Sequence, residues 1–135
     1  MDLMMAEASG MGGEKKKQLK SRQVAVKIDG VHTDVVLTVF VDALLVLVTQ
    51  RGKIGHVFET YSDGGEGSSE TFTVNVLLGS REGVEEVFAR QIIEALSKTT
   101  RRKVIIGLGL RDREPPVSTL HGLLGVLKAN VIWKR

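Results

Sequence analysis

Hydrophobic and polar residues alternate along the first half of the chain and change to a helical spacing after about residue 80. Alternation, in which every second residue is apolar, is typical of strands with one buried face. The pattern predicts five strands, then a helix, a sixth strand and a second helix. The predicted strands are 23–28, 31–41, 43–50, 54–61, 71–78 and 103–110, and the helices start near Ser80 and at Val117.

Each predicted helix has an apolar stripe. Ser80 is a residue type that caps helix N-termini, and apolar residues follow it at spacings of three and four. The second helix, 117–129, follows a Pro-Pro pair and carries four leucines at the same spacing. The apolar positions are Val84, Val87, Phe88, Ile92, Ala95 and Leu96 in the first helix and Leu120, Leu123, Leu124 and Leu127 in the second.

The order of these elements, βββββαβα, predicts the fold class. Strands followed by helices favour an α+β fold with the helices on one face of a sheet. The Asp29-Gly30 pair between two alternating segments indicates a hairpin, so the sheet is expected to be mainly antiparallel. We therefore predict a six-stranded, mainly antiparallel sheet with two helices, and with one sheet face available for dimerisation.

The third strand is apolar on both of its faces. Leu45 and Leu47 lie on one face, and Leu44, Val46 and Val48 lie on the other. Two helices cover about one face of a sheet, and a large exposed apolar patch is unusual on a monomer. We predict that a partner chain covers the second face through Leu44, Val46 and Val48. The alternative is a sheet that folds onto itself as a sandwich.

The segment Gly52-Lys53-Ile54-Gly55 is a basic G-x-x-G sequence. The nucleic-acid-binding KH domain carries such a loop, but between helices, whereas strands are predicted on both sides here. A Walker A loop ending at Lys53 would need glycine at position 47 and serine or threonine at 54, where the chain has Leu47 and Ile54. The segment is therefore predicted to be a hairpin turn.

The positive charge is concentrated near the N-terminus. The chain has 135 residues, no cysteine and a formal net charge of +3. Residues 14–22 hold five basic residues and one acidic residue, which leaves −1 for the rest of the chain. We predict a disordered basic tail over residues 1–22 and a single α+β domain over 23–135. No apolar stretch reaches the ~18 residues of a membrane span, so a cytoplasmic protein is expected, with nuclear import through the basic run as an addition.

Sequence motifs for catalysis are absent. His32, His56 and His121 lack metal-ligand spacing, and no G-x-S-x-G segment occurs. We expect neither enzymatic activity nor a cofactor. The alternative to a protein-binding role is a nucleic-acid-binding module that uses the basic tail and the cluster Arg101, Arg102 and Lys103. Few aromatic residues and the order of the elements argue against it.

Four segments together resemble the proteasome assembly chaperone 3 family. They are LLVLVTQRGKIG, VNVLLGSREGVEEVFARQIIEAL, KVIIGLGLRDRE and VIW, and the likeness extends from about Val24 to Trp133. The resemblance implies a single chaperone domain without catalytic residues or cofactor. It implies pairing with the related proteasome assembly chaperone 4, or with itself. It further implies binding of proteasome α subunits, promotion of 20S α-ring assembly, and dissociation before the particle matures.

Two loops are predicted to contact the α subunit. Functional contacts concentrate on loops, and the chain offers the segment around Gly52 and the glycine- and serine-rich segment 62–70. From the first we select Arg51 and Lys53, and from the second Asp63 and Glu66. The family resemblance itself assigns no role to these four residues.

Overall fold

The computed structural model describes residues 18–62, 72–79 and 83–133. Its elements follow the predicted order. They are β1 (Gln18–Ile28), β2 (Val31–Phe40), β3 (Ala43–Thr49), β4 (His56–Ser62), β5 (Phe72–Leu78), α1 (Val84–Ser97), β6 (Lys103–Gly109) and α2 (Val117–Ala129). The α+β class and the order βββββαβα are confirmed.

The six strands form one sheet in the order β1-β2-β3-β6-β4-β5. β3 and β6 run parallel, and the remaining neighbours are antiparallel. β6 therefore lies between β3 and β4, so the prediction that Gly52–Gly55 is a hairpin turn is wrong. β3 is apolar on both faces, as is typical of strands at the centre of a sheet, and a central strand has a neighbour on each edge. Its neighbours are β2 and β6, so β4 does not pair with it.

The β1–β2 connection is a tight hairpin, as predicted. Asp29 and Gly30 have φ angles of 56° and 78°, which match a two-residue turn with two positive φ values. The Asp29 carboxylate accepts hydrogen bonds from the hydroxyls of Ser118, at 2.7 Å, and Thr119, at 3.1 Å. The hairpin tip is thus tied to the first turn of α2.

β1 begins earlier than predicted. Residues 18–22 were assigned to the tail, but they pair with β2, with Ser21 opposite Thr38 and Arg22 opposite Leu37. The Ser21 and Thr38 hydroxyls lie 3.2 Å apart, and Arg22 donates to the side chain of Asn130 at 3.1 Å. Charged residues are common on exposed edge strands, and β1 is such an edge. The rest of the predicted tail, residues 1–17, lies outside the described residues.

The first helix begins later than predicted. α1 starts at Val84 with Gly83 as its N-cap, so the predicted cap at Ser80 is wrong. Val87, assigned to the core stripe, is 54% exposed. The stripe is rotated slightly, and its buried members are Phe88, Ala89, Ile92, Ile93 and Leu96. Glu85 and Glu86 occupy the first turn, where the helix dipole favours acidic side chains.

A single apolar core joins the helices to one face of the sheet. Because paired strands place opposite residues on the same face, the registers identify that face. The core contains Val35, Leu37, Val39, Leu44, Val46, Val48, Val104, Ile106, Leu108, Phe58 and Val74 from the sheet, and Phe88, Ala89, Ile92, Ile93, Leu96, Leu123 and Leu127 from the helices. We call this the helix face and its opposite the open face.

Candidate partner-binding surfaces

Leu44, Val46 and Val48 lie on the helix face and are fully buried within the chain. The prediction that they form a partner interface is therefore wrong. Sequence alternation separates the two faces of β3 but does not say which one the helices cover. The residues that remain for a partner are those of the open face.

The open face carries an apolar strip across its central strands. Leu45 and Leu47 of β3 lie between residues of β2 and β6, because Leu45 pairs with Thr38 and Ile105, and Leu47 pairs with Val36 and Gly107. The apolar side chains of the strip are half-buried in the single chain: Val36, Leu45, Leu47, Val57 and Ile105. Such a strip, apolar and accessible on a sheet, is suited to packing against another sheet.

Polar groups border this strip. Lys103 donates to Glu59 at 3.5 Å, and only 11% of the Glu59 side chain is exposed. Both residues belong to the open face, because Glu59 pairs with Ile105 and Lys103 pairs with Ala43. An apolar centre with a polar border resembles the general anatomy of protein interfaces.

The segment 50–55, which we call the crossing loop, passes over the open face of β6. It is fixed by backbone bonds from Gln50 N to Gly109 O at 2.8 Å and from Gly55 N to Leu108 O at 3.0 Å. A Cβ atom at Gly109 would overlap the carbonyl oxygen of Lys53, and one at Gly107 would lie 2.8 Å from Leu47 Cδ2 and 3.2 Å from Ile54 Cγ2. Gly109 therefore makes room for the backbone of the crossing loop, and Gly107 makes room for the side chains of Leu47 and Ile54.

Gln50 anchors the crossing loop with its side chain as well. Its Oε1 accepts from the backbone N–H of Arg111 at 3.1 Å, and its Nε2 donates to the buried Thr33 hydroxyl at 3.0 Å. Arg51 and Lys53, the first pair of predicted α-subunit contacts, are exposed on this loop. The anchoring presents both cations on a fixed backbone beside Arg111.

The second pair of predicted contacts follows β4 in the sequence. β4 runs from His56, next to the crossing loop, to Ser62, a rise of about 20 Å for a seven-residue strand. Asp63 and Glu66 follow Ser62 and lie outside the described residues.

The basic cluster 101–103 is built into the fold rather than spread along a surface. Lys103 pairs with Glu59, and the half-buried Arg102 donates to Phe40 O at 2.9 Å, Trp133 O at 3.2 Å and the Thr100 hydroxyl at 3.3 Å. Nucleic-acid binding relies on cations that are free to follow a phosphate backbone. The cations selected for that alternative are therefore engaged within the chain rather than free to follow a phosphate backbone.

Within residues 18–62, 72–79 and 83–133, no cluster of three or more His, Asp or Glu side chains could hold a metal ion. None of the helices in this part of the chain is long and apolar enough to cross a membrane.

Comparison with known proteins identifies the family. The family model described as "Proteasome assembly chaperone 3" matches residues 46–130. A bovine protein of that name is 31% identical over 122 residues, covering 89% of this chain and 99% of the relative. Relatives from Nematostella vectensis and Homo sapiens are 34% and 32% identical over 118 and 116 residues, covering 80% and 84% of this chain and 86% and 93% of each relative.

A solved structure supports the same fold. A chain in the crystal structure of a chaperone complex for yeast 20S proteasome assembly matches with a TM-score of 0.62 at 14% identity. The match covers 82% of this chain and 98% of that chain. The matching family model and the relatives, which agree on one name, show that the chain belongs to the proteasome assembly chaperone 3 family.

Proposed function

We propose that this chain is a cytoplasmic proteasome assembly chaperone that acts as a dimer, binds proteasome α subunits and promotes closure of the 20S α ring before it dissociates. Family membership supports the chaperone role, and the fold shared with a chain of a yeast assembly-chaperone complex supports action within a complex. The role is one of binding rather than catalysis. The second chain of the dimer is proteasome assembly chaperone 4 or another copy of this chain.

The observation that carries the proposed dimer is the apolar strip of the open face. Leu45, Leu47 and Ile105 are half-buried, although they lie at the centre of the sheet. A second sheet stacked on this face, about 10 Å away, would bury them completely. The partner thus packs against Leu45 and Leu47 instead of the three residues predicted from the sequence.

The proposed α-subunit contact is the crossing loop. Arg51 and Lys53 are exposed there, and the hydrogen bonds of Gln50 fix the backbone that carries them. A backbone that is already fixed loses less conformational entropy on binding, which favours affinity. Charged contacts at the edge of an interface mainly affect the association rate and release easily, which suits a chaperone that leaves its product. Asp63 and Glu66 remain a second proposed contact.

Replacing both Arg51 and Lys53 with glutamate is expected to weaken α-subunit binding by about tenfold, or ~1.4 kcal/mol, while the chain stays folded and paired. Both side chains are exposed, so their replacement removes no core contact. The measurement is biolayer interferometry of the purified dimer against each recombinant α subunit. A matched control replaces Lys20 of β1 and Lys128 of α2 with glutamate. Both side chains are also exposed, and the net charge changes by the same amount.

The control variant is expected to keep wild-type affinity. If both variants lose affinity equally, the effect comes from net charge alone and the crossing loop is not the contact. If neither loses affinity, the proposed contact is wrong, although pairing through the open face would stand.

A further inference from the structure

A cavity of about 520 Å³ opens at the end of α1, where the chain passes into β6. It lies at the end of the sheet opposite the crossing loop, because β6 begins there and ends at the crossing loop. Its volume is within the ~300–1,000 Å³ of typical ligand pockets. The lining residues are Ser97, Lys98, Thr99, Thr100, Arg101, Arg102 and Trp133. Every charged side chain among them is a cation, and the remaining polar ones are hydroxyls and an indole.

Arg102 forms a fixed wall of this cavity. A guanidinium group has five N–H donors. The Nε donor is bonded to Phe40 O, and the two NH1 donors are bonded to the Thr100 hydroxyl and to Trp133 O. The two NH2 donors have no acceptor in the part of the chain that the structure describes. Three bonds thus hold the guanidinium plane in place while one edge remains free to donate.

Thr100 contributes a further free donor. Its hydroxyl oxygen accepts from the Arg102 backbone N–H at 3.1 Å and from Arg102 NH1 at 3.3 Å. A hydroxyl oxygen has two lone pairs and one proton, so these two bonds leave the proton to be donated. Among the described residues no acceptor receives it. The Lys98 ammonium, also exposed at this cavity, likewise has no partner in these ranges.

The other polar groups of the wall are satisfied. The Trp133 indole donates to Thr99 Oγ1 at 2.7 Å, and the Thr99 hydroxyl donates to Leu96 O at 2.8 Å. The Ser97 hydroxyl donates to Glu94 O at 3.1 Å. What remains unused around Arg102 is a set of donors: the NH2 edge of Arg102, the Thr100 proton and the Lys98 ammonium. A ligand that fits this set supplies acceptors and negative charge.

We propose that this cavity binds an oxyanion, either a carboxylate or a phosphate group, carried by a side chain or terminus of a partner polypeptide. The free edge of a guanidinium matches two oxygens of one carboxylate or phosphate. The oxyanion site follows from the unused donors alone. The choice of a polypeptide as its carrier rests on the proposed function, since the partners of a chaperone are proteins.

A nucleic acid fits the arrangement less well. Binding to a nucleic-acid strand depends on several phosphate contacts along a path and on aromatic stacking. Here the next cation along the chain, Lys103, is paired with Glu59. The one aromatic ring in the wall, Trp133, is only 3% exposed and cannot serve as a stacking platform. The cavity therefore suits a single anionic group.

Trp133 allows a direct test, because it is the only tryptophan in the chain and lies in the cavity wall. Its fluorescence is measured while the purified full-length chain is titrated with inorganic phosphate, then with blocked pentapeptides whose central residue is glutamate, phosphoserine or glutamine. Sodium chloride at matched ionic strength corrects for screening. We expect a saturable change with phosphate and with the glutamate or phosphoserine peptide, and none with the glutamine peptide. Binding of the glutamate peptide indicates a carboxylate ligand, and binding of the phosphoserine peptide indicates a phosphate ligand.

Two variants assign the response to the cavity. Lys98→Ala and Thr100→Val are each expected to weaken binding about tenfold, the usual loss for one charge-assisted hydrogen bond. Lys27→Ala removes another exposed cation, on β1, and Thr100→Ser keeps the hydroxyl. Both variants are expected to bind within about twofold of the wild-type affinity. Circular dichroism checks that each variant is folded. If Thr100→Val does not fold, Lys98→Ala still tests the cavity.

Two results would overturn the proposal. A non-saturable fluorescence change that is the same in Lys98→Ala would show that no oxyanion site exists. A single-stranded uridine oligonucleotide that binds more tightly as its length increases, and more tightly than either anionic peptide, would exclude the polypeptide carrier. Because these titrations contain the chain alone, neither result depends on whether it binds an α subunit.

Discussion

Replacing Leu44 with glutamate is expected to unfold the chain, and the same replacement at Leu45 is expected to leave it folded but unpaired. The two leucines are neighbours in β3 and face opposite sides of the sheet. Leu44 is 0% exposed inside the core, and Leu45 is half-buried on the open face. An unpaired charge in an apolar core costs several kcal/mol, and a domain is stable by only about 5–15 kcal/mol.

The Leu45→Glu chain loses little folding stability, about 1 kcal/mol or less, because the side chain can reach water in the monomer. In a pair stacked on the open face the same charge would be buried. We expect the dissociation constant of the pair to rise about 100-fold, or ~2.7 kcal/mol. Thermal denaturation measures the first effect. Size-exclusion chromatography with light scattering, on the chain alone and with proteasome assembly chaperone 4, measures the second.

Leu44→Ala serves as the milder variant of the core position. It is expected to fold, to lose about 2–5 kcal/mol of stability and to pair normally. A folded Leu44→Glu chain that fails to pair, beside a Leu45→Glu chain that pairs normally, would restore the original prediction and reject the open face as the interface.

Gly109→Ala is expected to destabilise the chain by about 3 kcal/mol, at the upper end of the cost of adding atoms to a packed site. The new Cβ would overlap the carbonyl oxygen of Lys53, which belongs to the backbone of the crossing loop. The loop cannot move away freely, because Gln50 N and Gly55 N are bonded to Gly109 O and Leu108 O. The alanine must therefore break one of these bonds or distort β6.

Gly55→Ala is the matched control, since Gly55 lies on the same loop with open space around the position of its Cβ. Because alanine restricts the unfolded chain, this change is expected to stabilise the fold by ~0.4–1 kcal/mol. Urea denaturation of both variants measures the two free energies of unfolding. Equal effects at Gly109 and Gly55 would show that the crossing loop does not pack on β6.

Local patterns in the sequence predict most of the fold. The Asp29-Gly30 turn, the strand order along the chain and α2 all follow from short-range physical preferences: turn geometry, alternation and helical spacing. The predicted hairpin at Gly52 failed because the pairing of β6 between β3 and β4 is a long-range event. Gly107 and Gly109 were a usable signal, since two glycines on one face of a strand indicate that another backbone approaches it.

The candidate surfaces were predictable only in part. The sequence shows that β3 has two apolar faces, but the choice of face depends on where α1 and α2 pack. Leu44, Val46 and Val48 were therefore selected, and Leu45 and Leu47 were missed. The nucleic-acid-binding alternative used the cluster Arg101–Lys103, because the sequence does not show that Arg102 is bonded to Phe40 O and Trp133 O, residues far from it in the chain.

The central claim, that the chain works as one half of a chaperone pair on a proteasome α subunit, is tested most directly by native mass spectrometry of a gently tagged copy purified from its own cells. The expected result is a 1:1 complex with a second small chaperone chain, or a second copy of this chain, carrying one α subunit. Mild activation in the gas phase then releases each component for mass identification. A monomer, a pair that carries no proteasome subunit, or a chain with RNA attached would contradict the claim.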